Sequence, residues 1–380
     1  MSLNLGQGNA KNAAHGVGNM VTLTIGCGIV LFILFELFLQ PLCTLFGATE
    51  ATMPYALDYG RIIVMGAPFA MISAGFASVV RADGSPKVSM IGLVLGCVTN
   101  IILDPIFIFV FDWGVAGAAL ATILGQALNA LFFIVYLFHC KTIQLKKAHL
   151  IPNAKIVKRI VALGTSSFAT QIAVVFVMMV NNNLLVAYGA ASKYGPDIPL
   201  ATFGITMKVS QLILGITLGI ATSVQPIYGY NYGSGQYDRV KATYKRSLLI
   251  SCLIMVFALF VFQVFPEPII GLFGQESDLY MEFAVKSFRI YLLACILIPC
   301  VSVTAIFFQA VGKPMLAAFL SLSRQVVLLI PAMVILGSIL GIDGLLWAGP
   351  FSDTISGVMA LLIVRMQWCK IFPKEVSANE

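Results

Sequence analysis

Pro41-Leu42-Cys43-Thr44-Leu45-Phe46-Gly47 returns, 227 residues later, as Pro268-Ile269-Ile270-Gly271-Leu272-Phe273-Gly274. The same offset lays Gly6 and Gly8 on Gly233 and Gly235, and Gly114 and Gly117 on Gly341 and Gly344. With a one-residue slip, Arg81-Ala82-Asp83-Gly84-Ser85-Pro86 meets Gln309-Ala310-Val311-Gly312-Lys313-Pro314. Apolar composition alone does not keep glycine and proline in step from Gly6 through to Gly117. The chain is therefore a duplication, an architecture shared by many secondary transporters.

Composition fixes the solvent. Hydrophobic residues make up 59% of the 380 and charged residues 10%, and mean hydropathy is +0.95. A water-soluble chain carries about 25% charged residues, so this one cannot cover a surface in water. The first apolar run, Val21 to Phe38, is long enough to span a bilayer and is not a short cleavable signal. The eight cysteines are scattered, without a CxxC motif or a histidine set at metal-ligand spacing. They read as small buried hydrophobes, not as disulfides or a metal site.

Apolar runs separated by Gly, Pro and charge predict ten spanning helices, near residues 20–39, 54–80, 87–110, 115–138, 156–187, 198–224, 243–265, 280–310, 314–339 and 345–367. The runs at 156–187 and 280–310 exceed one straight span, so they tilt or extend into water. One set of alternate loops is basic, with Lys11, Arg81, Lys87, Lys141, Lys146, Lys147, Lys155, Lys158, Arg159, Arg239, Lys241, Lys245, Arg246 and Lys313, and with Arg365, Lys370 and Lys374 at the C-terminus. The other set has only Lys193, together with Glu50, Asp112, Glu267, Glu276, Asp278 and Asp343. The positive-inside rule places the basic side and both termini in the cytoplasm, in a multi-pass inner-membrane protein. Strict alternation favours topology over nucleic acid or anionic lipid as the origin of these charges.

The repeat offset contains six crossings, an even number, so the two halves are parallel repeats with the same orientation. Residues 1–150 form an N-lobe of four helices and residues 151–380 a C-lobe of six. The second half has two helices (156–187 and 198–224) before its Gly-rich loop at Tyr228–Gly235, whereas the first half begins at that loop, Leu5-Gly6-Gln7-Gly8-Asn9. The expectation is an all-α membrane fold of two bundles, with the first two helices of the N-lobe absent.

Four motifs in order carry a family resemblance. They are Gln225-Pro226-Ile227-Tyr228-Gly229-Tyr230-Asn231-Tyr232-Gly233 before Arg239-Val240-Lys241, the Arg81-to-Lys87 loop, Asn100-Ile101-Ile102-Leu103-Asp104-Pro105, and Gly114-Val115-Ala116-Gly117-Ala118-Ala119. Across essentially the whole chain this resembles the multidrug and toxic compound extrusion (MATE) family of cation-coupled antiporters. The resemblance implies two six-helix lobes around a central cleft that opens alternately to each side. It implies export of small amphipathic or cationic compounds, coupled to H⁺ or Na⁺ and needing no other cofactor. The expected partners are those compounds and the bilayer, with no nucleic acid, and the protein is expected to act as a monomer.

An ionisable side chain at bilayer depth is costly, so each needs a reason. Asn100 and Asp104 share one helix face ahead of Pro105. Together they suit a proton or Na⁺; equally, Asp104 suits a cap on backbone freed by Pro105. The resemblance tips the choice, implying an N-lobe cation site of Asp104, Asn100, Thr122 and Tyr59, completed in relatives by an Asp from the first helix. Lys208 and Arg324 lie about ten residues into their spans, near mid-bilayer at ~1.5 Å per residue. Asp353 aligns through the repeat with Gln126. Structural or gating pairs, Lys208 or Arg324 with Asp353, are favoured over direct substrate ligation. Asn181-Asn182-Asn183 points around most of a helix, so one amide faces the cleft or all bond neighbouring helices; Gln171 and Gln211 are weaker candidates of the same kind. Glu36 and Arg61 fit the interface.

Three alternatives stand beside the antiporter. A flippase for lipid-linked sugars in the same superfamily would need an Arg-rich cleft, and intramembrane Arg is sparse. A membrane enzyme is disfavoured because His15, His139 and His149 fall in or beside loops, with no HExxH, GxSxG or P-loop. A non-transporting fragment is the remaining alternative.

Overall fold

A hydrocarbon layer offers no water to backbone N–H and C=O groups, so an apolar chain satisfies them internally as helices. The computed structural model describes residues 1–45, 53–195, 197–274 and 277–372, and among these no strand occurs. The spans are α1 (Ala10–Leu37), the bent pair α2 (Met53–Met65) and α3 (Ala67–Ala82), α4 (Pro86–Val110), α5 (Gly114–Leu137), α6 (Ala154–Ala190), α7 (Asp197–Gly233), α8 (Tyr237–Val264), α9 (Asp278–Ala310), α10 (Pro314–Leu340) and α11 (Ile342–Ile371). Among the described residues, nine are single helices long and apolar enough to cross a membrane, and the bent pair, counted as one span, makes ten. These are the ten spans read from hydropathy. Phe46 and Gly47 of the repeat motif, Glu50 and Glu276 of the acidic loop set, and Lys374 of the basic C-terminus lie outside the described residues.

The run at 54–80, read as one span, is not one helix. It breaks at Gly66 with a bend of 47°. Pro68 opens α3 and has no N–H to continue the ladder, while a Cβ at Gly66 would stand 2.7 Å from Ile123 Cγ1. The stretch Tyr228–Gly235 was read as a loop; instead α7 continues through Gly233. The reason is packing. Tyr228 is fully buried, edge-on to Phe307, with its hydroxyl 2.6 Å from Ser247 Oγ. The chain turns only where Gly235 adopts φ 75°. Similarly, α1 starts well before the apolar run, with Asn9 capping the Asn12 N–H at 3.1 Å.

The duplication is visible in the backbone. Gly8 and Gly235 have φ 73° and 75°, Gly84 and Gly312 both 80°, and Gly114 and Gly341 49° and 64°. These left-handed conformations are open to glycine at little cost, which is why glycine marks the repeat. Both α6 and α7 run to 37 residues. At ~1.5 Å per residue each exceeds the roughly 30 Å hydrocarbon core and projects beyond it.

The chain divides into two units, Met1–Ile160 and Val161–Glu380. In the first, Ala13, Val17, Phe76, Val80, Phe133 and Leu137 form one buried cluster. In the second, Tyr228, Tyr244, Phe307 and Phe308 centre one cluster, and Phe203, Phe283, Leu345 and Leu346 another. Exposed apolar stripes, such as Ile25, Ile29, Ile33 and Leu37 on α1, match the lipid they must face.

Candidate functional site

In the first unit, α4 and α5 approach through two glycines. A Cβ on Gly125 would lie 2.6 Å from the Gly96 carbonyl oxygen, and one on Gly96 would lie 2.9 Å from that of Gly125. That contact brings Asn100 against α5. Its Nδ2 donates to Asp104 Oδ1 and to Thr122 Oγ1, both at 3.3 Å. The Thr122 hydroxyl in turn donates to the Ala118 carbonyl at 3.0 Å. Asp104, Asn100 and Thr122 are all half-buried, and the recorded partner of Asp104 is the amide, not a backbone group. Tyr59 is 39% exposed on α2 and, among the described residues, bonds to none of the three.

Proline shapes this end of α4. Pro105 withholds an N–H, and the ladder shifts to a wider turn over Ile106–Val110, with the Phe111 N–H reaching the Ile106 carbonyl at 3.0 Å. Below the triad on α5, the Asn129 amide donates to Ser73 Oγ at 2.7 Å and its Oδ1 is buried without a partner. Glu36 and Arg61 lie 3.9 Å apart and exposed.

The second unit resolves the choice of partner for Asp353. Arg324 Nε donates to Asp353 Oδ1 at 2.6 Å, with side chains 20% and 8% exposed. Lys208 does not pair with Asp353; it is exposed, and no ion pair of it occurs among the described residues. Arg324 sits in a widened turn, Ser323–Leu329, just before Pro331, and its carbonyl accepts from Ser352 Oγ at 2.9 Å. Asn181 is buried while Asn182 and Asn183 are exposed, the Asn183 amide bonding its own helix at Met179 O. Gln171 and Gln211 are exposed.

Two groups escaped the sequence reading. Asp83 is 1% exposed and accepts from Tyr136 Oη at 2.8 Å, the Lys141 N–H at 2.8 Å, the Thr142 N–H at 2.9 Å and the Thr142 hydroxyl. It staples the end of α5 to the α3–α4 turn. The repeat places Val311 there, buried near Phe372; an Asp set against a Val in the alignment was the available signal. Lys286, read as part of a span, pairs with Asp343 at 2.6 Å. The loop set read as holding only Lys193 therefore has a second cation beside it. Lys193 and the Tyr194 hydroxyl both bond Glu282 Oε1, at 2.7 and 2.9 Å.

An all-helical chain of this length and hydropathy has counterparts among known proteins. A sequence model of the MatE family matches residues 1–106 and 167–335. The chain is 27% identical over 343 residues to the multidrug export protein MepA of Staphylococcus aureus strain MSSA476, covering 90% of this chain and 73% of MepA. Its fold superposes at TM-score 0.91 on an outward-facing multidrug resistance MATE transporter of the MOP superfamily, at 22% identity over 97% of this chain and 82% of the other. A MOP superfamily transporter from Pyrococcus furiosus matches at TM-score 0.89, 21% identity and the same coverage. These define a class, the multi-span MATE transporters. The chain belongs to the MatE family.

Proposed function

We propose that the protein exports small amphipathic or cationic compounds by alternating access, as an antiporter driven by an ion that binds at Asp104. The observation that carries this reading is the Asn100–Asp104–Thr122 triad on touching spans of a MatE chain. A carboxylate held inside a span by one amide can gain and lose a charge, and an intramembrane ionisable group marks an ion path.

The geometry supports H⁺ over Na⁺. Asn100 turns its donor toward Asp104 and Thr122, and a metal cation there would face N–H groups. Na⁺ would require the amide to present its oxygen, since hard cations take oxygen ligands. A proton needs only the carboxylate. The flippase reading loses support because Arg324 is committed to Asp353 and is not free for a diphosphate.

The test is efflux of a fluorescent organic cation from proteoliposomes under an imposed pH or Na⁺ gradient. Asp104→Asn should abolish gradient-driven efflux with the unfolding midpoint retained, and Asn100→Ala should weaken it. Undiminished efflux by Asp104→Asn would remove that residue from the mechanism.

A further inference from the structure

The segment between α5 and α6 lies along α1 and does not loop out into water. Asn19 Nδ2 donates to the carbonyls of His149 and Ile151, each at 3.2 Å, and its Oδ1 accepts the Asn153 N–H at 2.6 Å. Thr22 Oγ1 donates to the Leu150 carbonyl at 2.7 Å. Gly18 admits the strap; any Cβ there would lie within van der Waals radius of the His149 carbonyl. These bonds set its depth. Leu150 is held level with Thr22, where the apolar run of α1 has already begun and Ile25 and Ile29 follow, exposed.

At that level Leu150 and Ile151 are 39% and 69% exposed. Lys146 and Lys147 precede them, Lys155, Lys158 and Arg159 follow, and all five are exposed. No Asp or Glu occurs from His139 to Arg159, and the neighbouring Asp83 is buried and occupied by Tyr136, Lys141 and Thr142.

We propose that this segment is a binding surface for anionic phospholipid headgroups of the adjoining leaflet. Leu150 and Ile151 enter the acyl boundary, while Lys146, Lys147, Lys155 and Lys158 reach headgroup phosphates. The positive-inside rule accounts for the sign of the charge. It does not account for two large apolar side chains held outward at the membrane boundary, when Ile143 in the same segment is buried. Apolar residues flanked by lysines whose stems can lie along the interface are the pattern of an interfacial anchor. Each basic residue near an anionic surface strengthens binding by about fivefold. A soluble phosphate would make no use of the apolar pair. The proposal rests on membrane insertion and is independent of transport.

The experiment uses the purified full chain in neutral detergent, with retention of phosphatidylglycerol against phosphatidylcholine read by native mass spectrometry. Wild type should prefer phosphatidylglycerol. K146Q/K147Q/K155Q/K158Q should lose at least about tenfold of that preference, and K146Q/K147Q alone should lose less in the same direction. R239Q/K241Q/K245Q/R246Q, which removes equal charge elsewhere, should keep most of it. I151W should add fluorescence that brominated phosphatidylglycerol quenches. Absent preference, equal loss in both quadruple variants, displacement by excess inorganic phosphate, or a Trp at 151 quenched only by aqueous iodide would each overturn the proposal.

Discussion

At the scale of single residues, the second unit depends on one buried ion pair. Arg324 and Asp353 come from different spans, meet at 2.6 Å and are largely hidden. Removing one partner leaves the other charge uncompensated, which costs about 3–5 kcal/mol in buried sites, whereas replacing both by apolar side chains is often near neutral. Arg324→Met alone should therefore lower the unfolding midpoint in detergent sharply, and Arg324→Met with Asp353→Leu should recover most of it. A double variant as unstable as the single would show that the pair is not what holds α10 to α11. Both charges were evident in the sequence as costly groups in apolar runs. Which cation met Asp353 was not, because Lys208 and Arg324 satisfy the same rule and only packing across helices separates them.

At the scale of elements, α4 and α5 meet backbone to backbone, so nothing flexible can yield to an added methyl. Gly125→Ala puts a Cβ 2.6 Å from the Gly96 carbonyl oxygen; the helices must part, at about 1–3 kcal/mol for overpacking. The 3.3 Å bond from Asn100 to Thr122 should open with them. The expected outcome is a lower unfolding midpoint together with lost efflux. Gly164→Ala on α6, which meets nothing within 4 Å, should be neutral or slightly stabilising, as alanine for glycine within a helix usually is.

The strap on α1 makes a second prediction at this scale. Burial first, then the charges of His15, Lys146 and Lys11, hold His149 below its ordinary value of 6.5. Its Nδ1 accepts the Lys146 N–H at 3.2 Å, which only the neutral ring can do. A base with a depressed folded pKa contributes fully above its unfolded value, and that contribution is lost as pH falls below it. Amide protection over residues 146–153, corrected for intrinsic exchange, should fall as pH drops below 6.5 and stay flat in His149→Gln. None of this was legible beforehand, since Asn19 and Thr22 act on carbonyl oxygens and carbonyls carry no sequence signal. The Gly66–Pro68 break was legible in its residues, yet hydropathy averages over a bend and returns one span.

At the scale of the whole molecule, glycines whose only distinction is a positive φ recorded the duplication, and they can be used to test the topology. Offsets that superpose Gly84 on Gly312 and Gly114 on Gly341 also pair Lys87 with Met315 and Trp113 with Leu340, all exposed. If the repeats are parallel, each pair must lie on one side of the membrane, because an even number of spans separates its members. If Lys and Arg mark the cytoplasm, Lys87 and Met315 lie inside and Trp113 and Leu340 outside. Single cysteines in a cysteine-free background, probed with an impermeant maleimide, separate the two premises. Labelling at 113 and 340 in intact cells, with 87 and 315 reacting only after permeabilisation, is the expected result. The reverse pattern would keep the parallel repeat and invert the orientation. Opposite behaviour within either pair would mean an odd number of crossings per repeat, and the parallel arrangement would fall.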